Sequence, residues 1–127
     1  MLRRDTTGLA AIVIWEHVTP SDHKITLPPT SVLEKIWDAR AVQFWDDDRA
    51  LSARMVADLP RDTLTSVAQI ETTGTTVAWD CVAIFRPGVR WERRFPVPDW
   101  AGRPVKDVAD TLERRLEALE AAATSRR

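Results

Sequence analysis

The stretch VQFWDDDRALS, residues 42–52, sets three successive aspartates directly behind a tryptophan. Carboxylates in such a row suit three kinds of chemistry: ligation of a hard cation, general acid–base work, or acceptance of hydrogen bonds from the free amides that open a helix. The pairing of tryptophan with an acid also recurs, in Trp15-Glu16, Trp37-Asp38, Trp45-Asp46, Trp79-Asp80, Trp91-Glu92 and Asp99-Trp100. A cation at Asp46, Asp47 and Asp48 would need further ligands that the neighbouring sequence does not supply. The expectation is therefore architectural. Asp46 or Asp47 accepts hydrogen bonds from the first amides of the next helix, and Asp48, placed in its first turn, is favoured by the helix dipole.

Other residues invite the same test. EHVTPSDH brings Glu16, His17, Asp22 and His23 together, but the spacing matches no zinc pattern and no cysteine supports it, so loop histidines are expected. The recurring Trp-Asp dipeptide matches the WD repeat of propellers only superficially, because a propeller needs about four blades or more and this chain is too short to hold them. On a strand an acid beside a buried tryptophan simply points to the opposite face. Asp80 is the exception, since VAWDCVAIF reads as apolar on both faces. A carboxylate there must be paired or hydrogen-bonded, either as a structural bridge to a loop amide or an arginine, or as a functional acid. Cys81 beside it has no sequence-adjacent histidine or lysine to favour a thiolate and reads as a small apolar residue. Arg86, Arg90, Arg93 and Arg94 surround Trp91; they could contact a phosphate backbone or an acidic partner, although Glu92 between them favours a solvated strand face.

The elements that would position these residues follow from pattern. A chain of 127 residues, 44% apolar and 29% charged with a formal net charge of -1, is the size and mix of one soluble domain, without the overall field that attracts nucleic acid or an acidic membrane surface. MLRRDTTGLAAIVIWEHV has the order of an export signal, but its apolar run is interrupted too early, so it reads as a buried strand from Ala10 to Val18. With one cysteine, neither an internal disulfide nor a CxxC pair is possible, and a cytoplasmic location is expected. After a proline-rich loop, Ser31 and Glu34 match a capping box and predict a helix from Val32 to Arg40. AVQFW is a second strand, and Leu51, Met55 and Leu59 mark one face of a helix that Pro60 stops. Residues 61–75 read as a loop with one short extended piece. VAWDCVAIF and VRWERRF then form an antiparallel hairpin across RPGV, whose proline and glycine suit a type II turn. Val105, Val108, Leu112, Leu116 and Leu119 predict a last helix, with residues 120–127 fraying.

This series resembles the second part of a thioredoxin-like fold. VQFWDDDRALSARM looks like the peroxiredoxin-type segment in which a strand ends in an aspartate and a helix begins, and AWDCVAIFRPGVRW is similar to the hairpin before that fold's last helix. The resemblance covers roughly residues 10–119 and implies an α/β domain spanning 1–127, with an open mixed sheet of about four strands, a C-terminal antiparallel hairpin and helices packed on it. It carries over no catalytic, cofactor or metal residue, because Cys81 stands at neither redox position of the family and the usual proline before the hairpin is absent from TGTTVAWD. The implied function is a redox-inactive domain acting through protein contacts with itself or a partner. The alternative is a thiol-disulfide or peroxide-reducing enzyme whose active-site unit lies outside this chain. A third reading has the hairpin arginines bind nucleic acid or another polyanion.

Overall fold

The computed structural model describes residues 8–16, 30–36, 38–70 and 74–125. The chain is mixed α/β and divides into two compact units, Met1–Ala50 and Leu51–Arg127. The first holds strand β1 (Ala11–Glu16), the single-turn helix α1 (Thr30–Leu33) and strand β2 (Ala41–Asp46). β1 and β2 run parallel with Ile12 beside Val42, Ile14 beside Phe44 and Glu16 beside Asp46. The helix expected to Arg40 is shorter because other groups claim its backbone. The Gln43 side-chain amide donates to the Leu33 and Ile36 carbonyls at 3.1 and 3.5 Å, and the Ala41 amide donates to the Asp38 carbonyl in a turn that leads straight into β2.

The second unit is reached within helix α2 (Ala50–Asp58), followed by α3 (Arg61–Thr65), strands β3 (Ala68–Ile70), β4 (Thr76–Ala78), β5 (Val82–Ile84) and β6 (Trp100–Gly102), and helix α4 (Val105–Thr124). The apolar face read for α2 is the one buried: Met55 and Leu59 form a core with Val67, and Leu51, Leu64, Ala78, Cys81 and Phe95 pack against it. Residues 61–75, read as mostly loop, contain α3 and β3. Pro60 does not simply stop a helix, since its carbonyl accepts from the Leu64 amide and opens α3.

Among the described residues the strands pair two by two: β1 with β2, β3 with β4 antiparallel, and β5 with β6 antiparallel. The run VAWDCVAIF is therefore two strands, not one. It breaks at Asp80, whose φ of 43° is left-handed. Arg103 draws the Trp79 carbonyl away with its Nε at 3.4 Å, and the Val105 amide donates to the Asp80 carbonyl at 3.0 Å. The turn at RPGV is as read: the Val89 amide donates to the Arg86 carbonyl and Gly88, at φ 87°, takes the position that needs a left-handed residue. The strand expected after it at residues 89–95 is absent. The Phe95 amide donates to Asp58 at 2.7 Å and the Arg93 carbonyl accepts from Arg54 at 2.6 Å, so side chains of α2 take groups a ladder would need. The antiparallel partner of β5 is instead β6, closed by the Asp99 amide donating to the Ile84 carbonyl at 2.8 Å. α4 continues to Thr124, through turns expected to fray.

Candidate functional site

Alternation along a strand sends Ile12 and Ile14 to one face of β1 and Ala11, Val13 and Trp15 to the other, and the parallel register repeats this in β2. The odd-numbered face is half-buried and pinned. Trp15 donates its indole N–H to Gln43 Oε1 at 2.9 Å, and Gln43 in turn ties the α1 segment down. The even-numbered face is open: Ile12 is 69% exposed, Val42 54%, Phe44 52% and Ile14 37%. Parallel strands are ordinarily covered on both faces, and a two-stranded sheet has little stability by itself. Among the described residues every buried side chain lies in the second unit, from Ser52 and Met55 to Leu112. The result is a contiguous exposed apolar face of on the order of 400 Å², within the range of the largest such patch on an ordinary monomer, which is often functional.

The three aspartates stand at the end of this face. Asp46 Oδ1 accepts from the Ala50 amide at 3.0 Å and its carbonyl meets the Arg49 amide, so Asp46 closes the turn that opens α2. Arg49 completes that turn with a left-handed φ of 54°. Asp47 and Asp48 are exposed, and Asp48 lies before the helix, not in its first turn as expected. Among the described residues no three His, Cys, Asp or Glu side chains come together as metal ligands would. Of the histidine cluster only Glu16 is described; His17, Asp22 and His23 lie outside the described residues, as does Trp37.

Asp80 is exposed and acts structurally. Its Oδ1 accepts from the Val105 amide at 3.3 Å beside the main-chain bond already described, so it caps α4 from across a turn while Pro104, at the cap position, supplies no side-chain acceptor. Cys81 packs half-buried against the Met55–Leu59–Val67 core. The four arginines do not act together. Arg86 is committed to Asp99, donating its Nε at 2.9 Å while its amide donates to the other carboxylate oxygen at 2.7 Å; this holds the Asp99 carboxyl below its ordinary range and the Arg86 guanidinium above its own. Arg90, Arg93 and Arg94 are exposed on the segment after it, around a half-exposed Trp91 that packs edge-on to Phe95 at 5.2 Å.

An open hollow of about 380 Å³ in the first unit is lined by Leu33, Glu34, Ile36, Asp38, Ala39 and Gln43. Asp38 is held in an ion pair there. Arg40 grips both its oxygens at 2.9 and 2.7 Å, which brings its pKa down to about 2.

The chain matches no family model, no curated protein and no solved structure. No helix of the described residues is long and apolar enough to cross a membrane.

Several residues that build these surfaces carried no signal in the sequence. Gln43 looked like one polar residue in a strand, and Ser52, now buried with its hydroxyl accepting from the Ala78 amide at 2.9 Å, like one in a helix. Arg103 donates to the Trp79 and Ala68 carbonyls and to Gln69. Its position between Gly102 and Pro104 was the available hint, because a long donor in a rigid link is well placed to gather loop carbonyls.

Proposed function

We propose that this chain is a redox-inactive, thioredoxin-like contact domain, working in the cytoplasm by holding a protein surface rather than by transforming a substrate. The observation that carries the reading is the open face of β1 and β2, on which Ile12, Ile14, Val42 and Phe44 lie side by side in register. Apolar area of this kind is driven to leave water, at about 25 cal/mol per Å². Strand order adds support for the resemblance. A parallel pair leads through an aspartate turn into a helix, and an antiparallel pair precedes the last helix. In this reading β1 and β2 belong to an open mixed sheet of about four strands. The partner is a second copy of the chain or another protein.

The test is a Phe44→Asp chain compared with the unaltered one by light scattering over a concentration series. A charge in the middle of the face should abolish association while the far-ultraviolet circular dichroism stays unchanged, because Phe44 is exposed in the single chain. Equal association of the two chains would remove the sheet face from the account.

A further inference from the structure

The sheet face is too small to hold a complex by itself. A stable interface takes about 800 Å² from each partner, and four half-exposed side chains offer roughly half of that. An occupant must also suit what borders the face: Asp47 and Asp48, both exposed at the C-terminal end of β2. Neither carboxylate has an ion-pair partner among the described residues.

The matching surface is the segment Val89–Val97. Val89, Trp91 and Val97 are 39%, 49% and 53% exposed, so its apolar content resembles that of the sheet face. Its charge is the opposite one. Arg90, Arg93 and Arg94 stand against the single carboxylate of Glu92, and among the described residues none of the three guanidinium groups is in an ion pair. The segment is also held in shape without using those charges. Arg54, itself bridged to Asp58 at 2.8 Å, donates to the Arg93 carbonyl; Asp58 accepts from the Phe95 amide; and Trp91, Phe95 and Phe85 pack edge to face. A binding surface fixed by its backbone, with side chains left over, loses little freedom when it docks.

We infer that the occupant of the sheet face is the Arg90–Arg94 segment of a second copy of this chain, with Trp91 and its valines against Ile12, Ile14, Val42 and Phe44, and the arginines against Asp47 and Asp48. This rests on the contact-domain reading and specifies its partner. Each chain carries both surfaces. The formal net charge of -1 leaves little overall repulsion between copies.

Charge exchange tests it. Two chains are made, one Asp47→Lys and Asp48→Lys, the other Arg90→Glu and Arg93→Glu. All four positions are exposed, so both chains should keep the unaltered melting behaviour. Each alone should self-associate at least roughly tenfold more weakly than the unaltered chain, and an equal mixture should recover association because the altered charges again oppose. In the unaltered chain, association should weaken as salt is raised. If the Arg90→Glu, Arg93→Glu chain associates as well as the unaltered one while Phe44→Asp does not, the sheet face stands and its occupant is something else. Failure of the mixture to recover likewise overturns the pairing. An unaltered chain that is monomeric at high micromolar concentration overturns the second copy as occupant, and the sheet face is then tested against other proteins.

Discussion

At the scale of single residues, four of the acids meet backbone or arginine donors through hydrogen bonds. Asp46 caps, Asp80 caps, Asp99 clamps Arg86 and Asp38 clamps Arg40. That an acid beside tryptophan would find a hydrogen-bond donor was legible from its type. Which amide it would meet was not, because Val105 lies 25 residues from Asp80 in the chain. The Asp38 carboxyl should titrate near 2 rather than the ordinary 3.8, and Arg40→Ala should return it towards that value; carbon NMR across an acid series reads both. Because the folded value is the lower one, the ionised form favours the native state. Its contribution is complete above about pH 4 and is lost as pH falls through about 2. Asp80 gives a second check, since its left-handed φ is tolerated by glycine and asparagine but not by alanine. Urea unfolding should rank Asp80→Asn and Asp80→Gly close to the unaltered protein and Asp80→Ala about 1–2 kcal/mol below it.

At the scale of elements, apolar spacing was the reliable signal and pairing was not. Leu51, Met55 and Leu59 recur every four residues, and they bury the face of α2 that this spacing marks. The turn at Pro87-Gly88 was equally legible, since only its own four residues decide it. Whether VRWERRF would be a strand depended on Arg54 and Asp58, which are remote in sequence and compete for its backbone. That competition can be measured. Asp58→Ala leaves the Phe95 amide without its acceptor and should cost about 1–3 kcal/mol, with faster hydrogen exchange at Phe95 and its neighbours. Unchanged protection there would mean that aromatic packing alone holds the segment. Gly102 shows a further dependence hidden from pattern: a side chain at that position would meet Trp100 at 3.0 Å and Val108 at 3.1 Å, so β6 and α4 approach only over a glycine.

For the whole molecule, the parallel pair β1 and β2 is the feature on which the proposed contact role rests. The sequence reading had both faces of this strand covered, as parallel strands usually are, and one is open. The reason is that composition reports how apolar a strand is and not what lies over it. The same gap separates the acidic turn at Asp47 and Asp48 from the basic segment at Arg90 to Arg94, which read as two unrelated motifs along the chain and are joined only by the pairing we infer. The most direct measurement is sedimentation equilibrium of the unaltered chain from low to high micromolar concentration, beside Phe44→Asp under the same conditions. The account predicts a mass that rises above 14.4 kDa with concentration for the first and stays there for the second. Two chains that both remain at the monomer mass, with Phe44→Asp no less able to bind other proteins, would contradict it.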